Sequence, residues 1–443
     1  MSTARIPAWA GPLDVAELAL GAVREAGAAT ERLLRAHGTD VQVTTHPALV
    51  EAAFSAIDRL RVDGRAAEPW APLSGFAAAR DGWLRLHGNY PHHATAITAA
   101  LGARTPEELA AAVAPRPAEE AAARVIRAGG IAAVVRTPEE WRAHPHARAT
   151  AGDLWVTTQL GGMARDESPD PAATGERLPL AGRRVLDLTR VVAGPVATQL
   201  LGCLGADVLR LDPPARPEQL DAFLAAGMGK RSALLDLRAH RDLLEELLAG
   251  TDVVVLGYRP GALTDVGLDP SDLAARHPHL VIGALSAWGE RGPWGDRAGF
   301  DSIVQAATGI AVRCAREDGR PGALPVQALD HATGFRLAAG MLDLLADGRA
   351  GVVRASLLGA ARTLLATGTG ATSSTGAGDG DGRAEADGGA GDGAAVGLPP
   401  AVELGTPHGR VSTVPVPLLL DGVPLTGAIS GYGTAPPRWE ERR

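Results

Sequence analysis

The stretch R-V-V-A-G-P (190–195) joins a strand-forming run, R-R-V-L-D-L-T (183–189), to a helix-forming run that has Pro195 near its start. Ala193 and Gly194 are small enough for a ligand to approach the backbone. A helix N-terminus beside them offers free N–H groups and a partial positive charge to a phosphate or carboxylate. A plain strand-to-helix turn would have the same spacing. Neither GxGxxG nor GxxxxGK[ST] is present, so a Rossmann dinucleotide site or a P-loop is not supported. Asp330, in A-L-D-H-A-T-G, opens a helix-forming run and by itself reads as a helix N-cap. His87, His92, His93, His144 and His146 lie near one another in sequence. They lack the HExxH or Cys/His spacing of a zinc site and read as surface or structural residues, with no metal expected.

The elements around these residues alternate in type. Residues 1–150 read as an α+β region of mainly helices: 16–38, P-A-L-V-E-A-A-F-S-A-I-D-R-L-R-V, H-H-A-T-A-I-T-A-A-L-G-A, 105–114 and P-A-E-E-A-A-A-R-V-I-R. Short strands are expected at D-G-W-L-R-L-H-G (81–88) and I-A-A-V-V-R-T. Thr105-Pro106 and Thr137-Pro138 are helix-start signatures. Residues 151–180 are poor in apolar side chains and read as a linker. From 181 to 367, strands at 183–189, 207–212, A-L-L-D-L-R, T-D-V-V-V-L-G-Y, H-L-V-I-G-A-L-S-A-W-G and G-V-V-R-A-S-L-L alternate with helices. That alternation predicts an α/β fold with a mainly parallel, doubly wound sheet. Residues 368–397 are Gly-rich and are expected to be a disordered linker. Residues 398–443 read as a C-terminal extension packing on the large domain.

Length and composition set the class. A chain of 443 residues, 46% of them hydrophobic, supports two domains or more. The net charge of −8 and the lack of a Lys/Arg stripe argue against a nucleic-acid partner. Two cysteines without CxxC spacing fit a reducing compartment. No signal-peptide pattern or membrane-length apolar run is present, so a cytoplasmic location and no membrane partner are expected.

The segment V-L-D-L-T-R-V-V-A-G-P-V-A-T-Q-L-L-G-C-L-G-A-D-V-L-R-L-D-P-P resembles the opening of family III CoA-transferases, the group that includes formyl-CoA transferase, carnitine CoA-transferase and α-methylacyl-CoA racemase. G-K-R-S-A-L-L-D-L-R (229–238), D-V-V-V-L-G-Y-R-P-G-A-L (252–263), G-P-W-G-D-R-A-G-F-D-S-I-V-Q-A-A-T-G (292–309) and A-L-D-H-A-T-G-F (328–335) resemble its later motifs, in order. The resemblance implies CoA transfer between acids, with coenzyme A as a substrate and no permanently bound cofactor. It places the catalytic carboxylate at Asp330, which would form an aspartyl-CoA intermediate, with Asp301 in support. It places CoA contacts at Val191, Val192, Ala193, Leu235, Arg238, Gly257, Tyr258 and Arg259. It also implies an interlocked homodimer. The racemase branch has a histidine where this chain has Phe300, which cannot exchange a proton, so transfer is favoured. A racemase or isomerase, or a catalytically weak acyl-CoA-binding relative, is the alternative. The family's small domain normally follows the large one. Here its likeness, in R-D-G-W-L-R-L-H-G-N-Y-P and A-A-R-V-I-R-A-G-G-I-A-A-V-V-R-T-P-E-E-W-R-A-H-P, precedes it.

Overall fold

The computed structural model describes residues 6, 9–165, 178–367 and 401–440. The Gly-rich stretch 368–397 lies outside the described residues.

Helix α1 (Val15–Ala36) matches the periodic run read from the sequence, with Asp14 capping it by accepting from the N–H of Glu17 at 2.9 Å. Helix α2 (Pro47–Phe54) is shorter than expected: it stops at Ser55, one short turn follows, and Arg61–Val62 becomes a strand. Strands β1 (Gly75–Ala79), β2 (Gly82–Leu86) and β3 (Ala132–Val134) form an antiparallel sheet in that order. Leu84 and Leu86 of β2 face a core with Ile97, Leu109 and Val125. The period of two then turns Arg85 and His87 to the other face.

The large sheet begins with β4 (Val156–Met163), which pairs antiparallel at its edge. There follow β5 (Arg184–Leu188), α3 (Ala193–Cys203), β6 (Asp207–Asp212), α4 (Leu220–Ala225), β7 (Lys230–Leu234), β8 (Val253–Leu256) and β9 (Val281–Ser286). Helices α5 (Asp301–Thr308) and α6 (Ala328–Ala346) and strand β10 (Arg349–Ser356) complete it. The spatial order is β7-β6-β5-β8-β9-β10-β4, and the first six strands are parallel. Strands covered on both faces read as continuous apolar runs, as Val253–Leu256 does. No helix among the described residues is long and apolar enough to cross a membrane.

The structure departs from the expected domain layout in two places. The predicted linker 151–180 contains β4, because an edge strand is held by backbone pairing and needs few apolar side chains. Residues 1–150 do not stand apart either: α1 packs along α6, and Phe54 stacks on Phe335 at 5.9 Å. Helix α6 is apolar nearly all round and so must be covered on every side. The C-terminal residues knit the parts together. Val411 pairs with Val62 and Leu420 with Val43, while Ile429 and Thr434 bridge to Lys230 and Ala233 of β7.

Candidate active site

The strand order reverses between β5 and β8, and ligands of open α/β sheets bind at such a switch, beyond the carboxyl ends of the strands. The loop leaving β5 is tightly built. Asp187 accepts from the backbone N–H and hydroxyl of Thr189 at 3.0 and 2.5 Å, from the Thr198 hydroxyl at 2.6 Å and from Lys230 Nζ at 3.2 Å. A Cβ at Gly194 would stand 2.3 Å from the Thr189 side chain, so only glycine lets the helix begin here. Val191 has a φ of +67°, a left-handed conformation costing an L-residue about 1–2 kcal/mol. Its N–H donates to Glu218 at 3.0 Å.

Glu218 is the hub that holds that loop. It accepts from the Tyr90 hydroxyl at 2.5 Å and Arg210 at 3.1 Å, and Arg190 lies 3.5 Å away. Burial alone would raise its carboxyl. The guanidinium of Arg210, and then that of Arg190, outweigh burial and hold it below the usual carboxylate range. Tyr90 comes from the N-terminal region, so this buried cluster ties that region to the loop at the sheet switch.

The two aspartates singled out by the resemblance meet. Asp301 is the first residue of α5, and its Oδ2 accepts from the N–H groups of Leu329 and Asp330 at 2.9 and 3.1 Å. Gln305 donates to Oδ1 and in turn accepts from the N–H of Leu324 at 2.9 Å. Asp330 is therefore not the N-cap that its place in the sequence suggested. Gln327 occupies the cap position, and Asp301 satisfies the orphan N–H groups from another helix. The Asp330 carboxyl accepts no hydrogen bond from any described residue, although the residue is only 7% exposed. Burial, and then the like charge of Asp301, push its carboxyl well above the usual range. Burial also pushes Asp301 up to about 6, against its three donors and Arg85.

A cavity of about 350 Å³ reaches α6 at Gln327 and His331, on either side of Asp330 in sequence, although neither aspartate lines it. Val191, Val192 and Val196 form one wall, Ala53, Ile57 and Val414–Pro417 another, and Gln327, His331 and Phe335 of α6 a third. His331 stacks on Phe54 at 4.9 Å, and burial pulls it down to about 3, so it is neutral. His331 lines this cavity. Its neighbour Asp330 lies on the helix face toward Asp301. His87 also lines the cavity and stacks on Phe300 at 3.8 Å, with neither ring nitrogen hydrogen-bonded. His87, His93 and His146 are buried. Among the described residues no group of three or more metal-ligating side chains converges.

Six of the residues expected to contact CoA lie in or just beyond the loops at the carboxyl ends of β5, β7 and β8. Val191 and Val192 line the cavity, Ala193 begins α3, Leu235 is buried just past β7, and Gly257 and Tyr258 follow β8. Burial pushes the Tyr258 hydroxyl up to about 12. Arg238, however, is engaged with Asp265 at 2.8 Å, and Arg259 reaches only the carbonyl of Asp296 at 3.4 Å. Sequence reasoning missed Arg85, Gln305 and Glu218, and took His87 only as a surface or structural residue. The alternation in W-L-R-L-H, with polar residues on the face opposite two leucines, was the available signal for Arg85 and His87.

Residues 180–392 match the family described as CoA-transferase family III. The chain is 37% identical over 207 residues to a probable fatty acyl-CoA transferase, Rv3272, of Mycobacterium tuberculosis, covering 42% of this chain and 52% of that protein. It is 37% identical over 188 residues to the succinyl-CoA:glutarate CoA-transferase of Mus musculus, covering 39% and 43%. It is 35% identical over 179 residues to the formyl-CoA:oxalate CoA-transferase of Streptomyces avermitilis, covering 38% and 44%. A crystal structure of Rv3272 aligns over 42% of this chain and 56% of that one, at 38% identity and a TM-score of 0.40. The chain thus spans about half the length of the curated relatives it matches. Just under half of the chain, the segment 180–392 that carries the sheet switch and the aspartate pair, is thus similar to CoA-transferase family III.

Proposed function

We propose that this protein moves coenzyme A from an acyl-CoA to a carboxylic acid through a covalent intermediate on Asp330. The observation that carries the reading is the state of that carboxyl: buried, without a hydrogen-bond donor among the described residues, and next in the chain to His331, which lines a cavity shared with the loop at the sheet switch. Such a carboxylate is poorly stabilised and correspondingly nucleophilic. Its oxygen attacks the thioester carbonyl, expelling the CoA thiolate and leaving a mixed anhydride. The thiolate then attacks the aspartyl carbonyl and expels the first acid, giving aspartyl-CoA. The acceptor carboxylate and the thiolate repeat the two steps in reverse order and restore the carboxylate, so no external proton or oxidant is consumed. Asp301 positions Asp330 by anchoring the first turn of α6. Val191–Ala193, Leu235, Gly257 and Tyr258 are proposed to hold CoA, and Arg238 would have to leave Asp265 to join them. Residues 1–150 are read as the counterpart of the family's small domain, and the assembly as a homodimer in the cytoplasm.

The test is mass spectrometry after incubation with a panel of acyl-CoAs. A CoA-sized, hydroxylamine-sensitive adduct on the peptide containing Asp330, absent in Asp330→Ala, is expected. Binding of acyl-CoA without an adduct from any donor would overturn covalent transfer.

One observation favours a second reading, an acyl-CoA racemase or isomerase. His87 supplies an imidazole against Phe300, where the sequence offered none. Its wash-in of solvent deuterium at the acyl α-carbon, lost in His87→Ala, distinguishes the two.

A further inference from the structure

We propose that His331 and Gln327 are the hydrogen-bond donors that receive the carbonyl oxygen of the acyl-CoA thioester as it becomes an oxyanion. The inference rests on the CoA-transfer reading and adds to it the two groups that stabilise the transition state.

Gln327 occupies the cap position of α6, and His331 follows four residues later. Residues at that spacing share one face of a helix, about 6 Å apart along its axis. Both line the cavity, whereas Asp330, which stands between them in the chain, does not. The packing of α6 fixes where that face looks. A Cβ at Gly334, one turn beyond Asp330 and His331, would stand 2.3 Å from the Ala193 carbonyl oxygen and 3.2 Å from Val196. The start of α6 is therefore presented to the start of α3, whose Val192 and Val196 line the same cavity.

Neither side chain is used by the fold. The Gln327 side chain makes no cap hydrogen bond, although it sits where one is made. His331 is 6% exposed, its Nδ1 is buried without a partner, and no described residue bonds its Nε2 or the Gln327 amide. A buried imidazole with idle nitrogens is unfavourable. A phenyl ring would fill the same place, stacked on Phe54 at 4.9 Å, without that penalty. The stack holds the plane of the ring and so sets the direction of its N–H before substrate arrives. Burial pulls the ring down to about 3, and a neutral imidazole carries one N–H donor. It polarises a carbonyl without forming an ion pair with the Asp330 carboxylate, which would weaken that nucleophile.

In the first step an Asp330 oxygen bonds to the thioester carbon and the C=O π pair moves onto oxygen. The N–H groups of His331 and Gln327 close on that oxygen, and neither gives up its proton. When the oxyanion collapses, the C–S bond breaks, its electron pair leaves with the CoA thiolate, and the mixed anhydride remains.

The experiment has two readouts. The first is the infrared carbonyl stretch of carbonyl-labelled butanoyl-CoA bound to Asp330→Ala, in which the ester cannot react. It is expected below the stretch of the same ester in an apolar solvent, and to return toward that value when His331→Phe is added. The second is the single-turnover rate of adduct formation with Asp330 intact. His331→Phe should slow it roughly 10²–10³-fold, as loss of one such donor does, without lowering the thermal midpoint. His331→Gln should recover part of the rate, and Gln327→Leu should slow it less than His331→Phe. An unshifted carbonyl in Asp330→Ala overturns the proposal whatever the other variants do. So does a His331→Phe protein that reacts at the wild-type rate, or one that reacts slowly while its carbonyl stays shifted. A shift lost in His87→Phe and kept in His331→Phe overturns it too, by assigning the donor to the other cavity histidine. No adduct from the wild type, with a carbonyl shift that depends on His331, removes covalent transfer and leaves the polarising role of His331 standing.

Discussion

Replacing Asp301 with asparagine should make the protein gain stability, relative to wild type, as the pH rises. Burial lifts this carboxyl from an ordinary 3.8 to about 6. A carboxyl whose native pKa is raised contributes stability that is fully present below the unfolded value, and that contribution is lost as the pH climbs through the native one. Two-state linkage with these values gives a loss of about 1 kcal/mol by pH ~4.5 and about 3 kcal/mol by pH ~7.5. Asparagine does not titrate, so it carries none of this. It does carry a fixed penalty. Its amide would face the Nε2 of Gln305, which cannot turn over without abandoning Leu324. Because that penalty is independent of pH, the difference between variant and wild type should move in favour of the variant by about 2 kcal/mol between pH ~4.5 and ~7.5. Urea unfolding at several pH values measures it directly. A difference that stays flat would mean that Asp301 titrates normally, and that three donors and Arg85 already compensate its burial. The account of a strained acid pair would then be wrong.

Four further outcomes follow from the same geometry. The rate of adduct formation from an acyl-CoA should rise with pH, with a midpoint above the ordinary carboxylate range, because only ionised Asp330 attacks; a flat single-turnover profile would contradict this. Tyr90→Phe removes a hydrogen bond to the charged Glu218 and should cost about 1.5–3 kcal/mol in denaturant unfolding. Gly334→Ala would place a methyl 2.3 Å from the carbonyl oxygen of Ala193; about 1–3 kcal/mol of destabilisation and weaker CoA-ester binding by calorimetry are expected. Val191→Gly relieves the left-handed valine and should stabilise the fold by about 1 kcal/mol in thermal unfolding, while enlarging the cavity it lines.

The large sheet was legible because its strands are buried on both faces and interrupted at regular intervals by helices. V-L-D-L-T, D-V-L-R-L-D and D-V-V-V-L all lie in or beside strands β5, β6 and β8. Boundaries failed where tertiary geometry overrides local pattern. The run F-D-S-I-V-Q-A-A-T-G-I-A-V-R-C has one helical pattern throughout, but Gly309 takes a φ of +96° and divides it into two helices. Strand β7 begins at Lys230, before the apolar run, because Lys230 is buried on Asp187, a pairing that sequence order conceals. At the site, Asp330 and Asp301 could be named from their motifs, but their contact could not, since it depends on how the start of α5 meets that of α6. Arg85 and Glu218 escaped notice for the same reason. An arginine in a strand or a glutamate after prolines looks like a solvated charge until the fold encloses it.

The pairing of Val62 with Val411, and of Val43 with Leu420, bears on how the molecule is made. The cavity wall combines Ala53–Ile57 from early in the chain with Val414–Pro417 from its far end. Closing so long a loop is entropically slow, and contacts of this separation form late. On the ribosome the central sheet can assemble as soon as β10 emerges, whereas the binding chamber stays open until residues beyond 410 are synthesised. Nascent and prematurely terminated chains would thus hold a nearly complete sheet with the aspartate pair in place, and an unfinished site exposed to water.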